Sequence, residues 1–242
     1  MTGTILIYGG TGGIGASTAR ALKAKGHALH LVARDEGRLQ ALASELGAGF
    51  TAGDVSDEGL IARATEAAGG VIKGLVYAVG TINLKPVARL SDADFLKDFQ
   101  VNALGAVKAV QAALPGMKAC EGTAGVVLFS TVAVAQGFAA HASVSMAKGA
   151  IEGLTLALAA ELAPKIRVNC IAPSLLRTNL AKALTSNEAM ATAIAGMHAM
   201  QRLGEGEDVG PLAALLASDD GSWITGQIIG VDGGRSALRT KG

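Results

Sequence analysis

Thr4-Ile5-Leu6-Ile7-Tyr8-Gly9-Gly10-Thr11-Gly12-Gly13-Ile14-Gly15 is the stretch whose reading decides the fold. Its opening residues are an apolar run with the β-branched side chains of a short buried strand. From Ile14 to Lys25 the pattern turns helical, with Ile14, Ala21 and Leu22 among good helix formers. Strand, glycine turn, then helix is the setting in which such glycines signal dinucleotide binding. Without side chains the turn can be tight, and backbone N–H groups can approach a pyrophosphate. The helix start adds partial positive charge and unpaired donors. Gly9, Thr11, Gly13, Ile14 and Gly15 are therefore the candidate cradle, with the competing reading of a merely flexible turn. The glycine spacing, G-x-x-x-G-x-G, is wider than the G-x-G-x-x-G fingerprint.

Working outward, 242 residues suit one large α/β domain, here expected to span the whole chain. Half of the residues are hydrophobic and only 17% are charged, with a net charge of +1. No basic run reaches five residues, which argues against a nucleic-acid partner. No apolar stretch approaches the roughly 18 residues of a spanning helix, so no membrane partner is expected. The N-terminus enters the first strand directly, without a basic leader, and Cys120 and Cys170 lack metal-ligand spacing. A cytoplasmic protein with buried thiols and no metal is the expectation.

The remaining chain alternates strand and helix patterns. A strand from His27 to Val32 ends at Ala33-Arg34, where a Rossmann half meets the adenosine ribose. A small neutral Ala33 followed by Arg34 favours a 2′-phosphate, hence NADP(H) ahead of NAD(H), against the alternative of a solvated Arg. Gly37 to Leu46 is an amphipathic helix pattern. The strand Phe50–Gly53 leads into Asp54-Val55, where the carboxylate either accepts from an adenine amino group or serves the local turn. Strand four, Gly74 to Gly80, ends on a glycine that lets backbone approach a ligand. Ser91 should cap a long helix that carries Asn102 among apolar residues and ends near Pro115-Gly116. Strand five, Gly125 to Thr131, places the Ser130 and Thr131 hydroxyls at its C-terminal end, where open parallel sheets bind ligands.

A long helix from Ala142 to Pro164 is apolar over much of its girth, so burial on several sides and an oligomer contact are expected. Lys148 near its start is unfavourable to the helix dipole, or else snorkels at the surface. Strand six, Ile166–Ala172, stops at Pro173-Ser174. The stretch from Thr178 to about Asn187 shows no strong period and reads as a lid within a variable substrate segment at about 174–205. A helix at Gly206–Leu216 and a last strand within Ile224–Gly234 complete the pattern. The fold class that follows is a Rossmann-like, doubly wound parallel sheet of about seven strands with helices on both faces.

Taken together, Gly9-x-x-x-Gly13-Ile14-Gly15, Asp54-Val55, Val101-Asn102, the end of strand five, Lys148, Arg167-Val168-Asn169 with Pro173, Ile224-Thr225-Gly226-Gln227 and Val231-Asp232-Gly233-Gly234 carry a resemblance. The chain resembles the short-chain dehydrogenase/reductase family, in the single-domain branch that includes the 3-oxoacyl-[acyl-carrier-protein] reductases. The resemblance implies an NAD(P)-dependent carbonyl/alcohol interconversion on a small molecule by a homotetramer or dimer. It implies that Asn102 positions a water in a proton relay and that Lys148 binds the nicotinamide ribose. It also implies that Thr178 contacts the carboxamide and that Asp54 and Val55 line the adenine pocket.

Three positions depart from the family pattern. Tyr8 stands for the usual Thr before the glycine turn, and Tyr77-Ala78-Val79-Gly80 lacks the family's Asn. The position four residues before Lys148, where the family has its catalytic Tyr, is Val144. The catalytic Ser position, thirteen residues before that one, falls on Thr131, with Ser130 beside it. Reduction needs a proton donor within hydrogen-bond reach of the substrate oxygen, and Val144 cannot donate. One turn before it, on the same helical face if the helix extends back, His141 is the substitute candidate. Its alternative role is that of a polar residue at the helix entry. Ser145 lies about 100° around the helix and is a poorer choice. The competing function is an NADP(H)-binding sensor or partner subunit with impaired catalysis.

Overall fold

A computed structural model describes residues 3–239. It contains one seven-stranded sheet in the order β3-β2-β1-β4-β5-β6-β7, with every neighbouring pair parallel. In chain order the elements are β1 (Thr4–Tyr8), α1 (Gly13–Ala24), β2 (Ala28–Ala33), α2 (Glu36–Leu46), β3 (Gly49–Ala52), α3 (Leu60–Ala68) and β4 (Ile72–Tyr77). Then come α4 (Asp92–Phe99), α5 (Gly105–Ala119), β5 (Ala124–Phe129), α6 (Val132–Gln136), α7 (Ala142–Leu162), β6 (Ile166–Pro173), α8 (Lys182–Thr185), α9 (Glu188–Ala195), α10 (Gly206–Ala217) and β7 (Ile228–Val231).

The period of two along β1 divides the core. Ile5 and Ile7 point to one face, with Leu22 of α1, Leu39 of α2 and Ala213 of α10. Leu6 and Tyr8 point to the other, with Ala64 of α3, Ala109 of α5 and Ile151 of α7. Both faces are covered, as parallel strands require. Sheet order reverses at β1, which lies between β2 and β4, so a crevice opens beyond the C-terminal ends of β1 and β4.

The doubly wound architecture agrees with the sequence reading, but several boundaries do not. Pro115 stands inside α5 rather than ending it, and the helix continues to Ala119. The last strand occupies only Ile228–Val231 of the expected segment. The aperiodic stretch after Thr178 forms a 3₁₀ turn at Asn179–Ala181 followed by the short helices α8 and α9. Its period is broken because each helix is too short to repeat one. Cys120 and Cys170 are free and buried, as expected, and burial pushes the Cys170 thiol up to about 12. No described helix is long and apolar enough to cross a membrane.

Candidate active site

The glycine turn closes against the end of β4. Gly9 has φ +77°, and a Cβ there would lie 2.5 Å from the Ala78 carbonyl oxygen. A Cβ on Gly13 would lie 2.7 Å from Thr178 Cγ2, and one on Gly15 would run into the Gly9 carbonyl. The turn thus needs glycine at all three positions, and Thr178 seals it from the β6 side. Gly12 is the N-cap of α1 and offers no side chain, so the first-turn N–H groups are left without a side-chain acceptor. No acidic residue occupies that turn. These features fit the pyrophosphate of a dinucleotide: a close backbone approach and a helix start whose donors await an anion.

At the outer end of this crevice Arg34 follows β2 and lies 3.6 Å from Asp54 Oδ2, with most of its side chain in water. Asp54 also accepts from the Ser56 N–H at 2.9 Å, so the local turn role is realised. Those contacts, led by the Ser56 amide, hold the Asp54 carboxyl below its usual range. Arg38, in the first turn of α2, donates to the Thr11 carbonyl at 3.2 Å. Arg38, which the sequence reading did not name, therefore borders the glycine turn, while Arg34 stands beside Asp54. Val55 is partly buried against the core.

At the inner end is a cleft of about 510 Å³ with mostly apolar walls. It is lined by Ile14, Gly80, Ser130, Thr131, His141, Val144, Lys148, Pro173 and Thr178, so candidates scattered over most of the chain converge here. Lys148 is buried, and its Nζ donates to the Phe129 carbonyl at 2.8 Å. Burial lowers its pKa to about 8, partly countered by Cys170 and Asp98. It does not snorkel. A Cβ on Gly80 would lie 3.0 Å from Asn102 Oδ1 and 3.3 Å from Lys148 Nζ, so the bare backbone there lets those two side chains approach one another.

Asn102 sits in a π-helical turn, Gln100–Leu104, between α4 and α5. Such widened turns recur at functional sites because they present a side chain that regular winding would withdraw. Asn102 Nδ2 donates to Thr81 Oγ1 and to the Asp98 carbonyl, both at 2.8 Å, so it is hydrogen-bonded throughout its burial. Tyr77 explains itself here: its hydroxyl donates to the Val101 carbonyl at 2.7 Å. Its ring packs on Tyr8 with centroids 5.7 Å apart. Both tyrosines are core residues and neither lines the cleft.

The two hydroxyls at the end of β5 are not equivalent. Ser130 Oγ donates to Glu152 Oε1 at 2.6 Å, which commits its proton away from the cleft. Thr131 Oγ1 accepts from the Ala133 N–H at 3.3 Å as the N-cap of α6, and no described residue takes its proton. His141 is the N-cap residue of α7, so the helix does not extend back past it; it still faces the cleft. Its Nδ1 lies 2.8 Å from the Ala139 carbonyl. A carbonyl only accepts, so Nδ1 carries a proton and Nε2 is the nitrogen free to act. Ala140, at φ 63°, is strained for a residue with a Cβ, and its carbonyl is pinned by the Lys85 N–H at 3.1 Å.

Sequence reasoning missed Asp98. It is almost fully buried, accepts from Thr81 Oγ1 at 2.6 Å and also accepts from Ser143 Oγ. An acidic residue one turn before Asn102 on the same helical face was the available signal.

Comparison with known proteins accords with this fold. The family model described as enoyl-(acyl carrier protein) reductase matches residues 9–236. A tropinone reductase homolog of Arabidopsis thaliana is 34% identical, over 96% of this chain and 91% of its own. The human mitochondrial dehydrogenase/reductase SDR family member 2 is 32% identical, over 94% of this chain and 84% of its own. Among solved structures, a short-chain dehydrogenase/reductase of the glucose/ribitol dehydrogenase type from Brucella melitensis superposes with a TM-score of 0.90 at 30% identity, covering 98% of each chain.

Proposed function

The chain belongs to the short-chain dehydrogenase/reductase family, and from that premise we propose that it interconverts a carbonyl and an alcohol on a small molecule with NADP(H), using His141 as its proton donor. The observation that carries the reading is the convergence of Thr131, His141 and Lys148 on one apolar cleft next to the glycine turn. The cofactor supplies the hydride when bound. Gly9 to Gly15 and the start of α1 hold its pyrophosphate, Arg34 takes the 2′-phosphate, and Asp54 and Val55 border the adenine. Lys148 Nζ holds the ribose hydroxyls, with Ile14, Pro173 and Thr178 around the nicotinamide.

Thr131 hydrogen-bonds the substrate oxygen through its uncommitted hydroxyl and keeps its own proton, and Ser130 stays tied to Glu152. His141 in its imidazolium form, held through Nδ1–H by the Ala139 carbonyl, releases the Nε2 proton to that oxygen and is left as the neutral Nδ1–H imidazole. Apolar walls limit competing water. Asn102 and Asp98 keep the floor beneath Lys148 hydrogen-bonded. Lone outward-facing Met146 and Leu156 on α7, with Leu96 and Leu104, support a homo-oligomer built on these helices.

The test is NADPH consumption against a panel of carbonyl compounds by the native protein and by His141→Ala. Turnover should fall about 10²–10⁴-fold with NADPH affinity unchanged. Undiminished turnover would remove His141 from this role. A second reading, a cofactor-binding sensor without turnover, is favoured by the inert Val144 side chain lining the cleft; NADPH binding with no turnover of any panel member would select it.

A further inference from the structure

The residues lining the cleft include Lys148, His141 and Arg235 but no Asp or Glu. Of the three, Arg235 has no part in the chemistry described above. It follows β7, and its side chain turns inward. Its guanidinium carbon lies 4.4 Å from the centroid of the Phe138 ring. Nη1 donates to Ser174 Oγ at 3.4 Å, and Nη2 approaches Met197 Sδ at 3.6 Å. Burial lowers its pKa, but a guanidinium stays charged.

Asp232 is the acid that acts on it most, yet the Asp232 oxygens are taken by the Gly234 N–H, the Ser236 N–H and the Ser236 hydroxyl. Among the described residues Arg235 has no ion pair. A partly buried guanidinium that stacks on Phe138 and whose N–H groups meet only a hydroxyl and a thioether has donors to spare in a place where charges are normally paired.

Its position is also set deliberately by its neighbours. His198 is buried, with Nδ1 2.8 Å from the Ile194 carbonyl and Nε2 2.8 Å from Ser174 Oγ. The carbonyl requires the proton on Nδ1, so Nε2 accepts the Ser174 proton. Ser174 then presents only lone pairs to Arg235. The chain His198–Ser174–Arg235 fixes the guanidinium while leaving its remaining N–H groups toward the cleft. Phe138 links it to the proposed proton donor, since the centroids of Phe138 and His141 are 5.3 Å apart. Arg235 and His141 thus lie no farther apart than those two ring distances together.

We infer that Arg235 is an anion-binding subsite and that the substrate is a short oxo acid, or the matching hydroxy acid. Its carboxylate is held by the Arg235 fork and its carbonyl oxygen by Thr131 and His141. This substrate class rests on the proposed carbonyl chemistry; the anion subsite itself rests on the geometry of Arg235 alone.

The experiment is calorimetric titration of the native protein, Arg235→Met and Arg235→Lys, with and without NADPH. The probes are pyruvate, acetoacetate and levulinate, each against its methyl ester. Met keeps the packing on Phe138 and removes the charge; Lys keeps the charge and removes the fork. At least one acid should bind the native protein about tenfold or more tighter than its ester. Arg235→Met should bind acid and ester alike, and Arg235→Lys should keep part of the preference. Equal binding of acid and ester by the native protein, a preference that survives in Arg235→Met, or no acid binding at millimolar concentration would overturn the subsite. Acid preference in a protein that fails to bind NADPH would overturn the proposed oxidoreductase and leave the subsite standing.

Discussion

Lys148 is buried against the Phe129 carbonyl with its pKa lowered from 10.5 to about 8, and that shift is a statement about stability. In the unfolded chain the amine holds its proton up to its ordinary pKa; in the fold it releases the proton sooner. Between about 8 and 10.5 the unfolded state therefore binds more protons, and stability rises with pH across that window. Below about 8 both states are protonated and the fold carries the full desolvation penalty, on the order of 3 kcal/mol at 1.36 kcal/mol per unit.

Lys148→Met removes this titration. Urea unfolding of both proteins at about pH 7 and about pH 9.5 isolates it, because every other group cancels in the difference. Stability of the native protein relative to the variant should increase by about 2 kcal/mol between those pH values. The absolute ranking at neutral pH also includes about 1–3 kcal/mol for the Phe129 carbonyl left without its donor, so the change with pH is the quantity to read. A difference that stays flat with pH would refute the argument that burial holds this amine near neutrality. A difference that shrinks as pH rises would reverse its sign.

Other perturbations have distinct signatures. Gly15→Ala drives a Cβ into the Gly9 carbonyl and should abolish NADPH binding in a titration, even where the protein remains folded by circular dichroism. Arg34→Ala should weaken NADPH about tenfold or more while leaving NADH unchanged, as read by parallel fluorescence titrations. Tyr77→Phe removes the hydroxyl that donates to the Val101 carbonyl and should lower unfolding free energy by about 1–2 kcal/mol in urea.

Legibility in the sequence followed the length scale of the interaction. The alternating apolar runs and the flanked glycine turn announced the sheet, because burial on both faces and a close backbone approach leave few residue choices. Ile14, Lys148, Thr131 and His141 were found at positions that the fold brings to one cleft. What stayed hidden depends on contacts far apart in the chain. Ser130 looked equivalent to Thr131 until Glu152 claimed its proton. Arg235 gives no local sign that Ser174 and Phe138 hold it inward. Pro115 suggested a helix end, but packing of α5 on the sheet carries the helix past it. The aperiodic segment after Thr178 conceals short helices whose order comes from covering the cleft, with Ala181, Leu184 and Ile194 on its wall.

The most direct test of the account is a fluorescence titration of the purified protein with NADPH, with NADH in parallel. Binding of NADPH, with NADH about tenfold weaker or worse, is the predicted result and would match a glycine turn that holds the pyrophosphate with Arg34 on the 2′-phosphate. Binding of neither nucleotide would contradict the central claim, leaving the glycine turn as a fold element and the cleft without its cofactor.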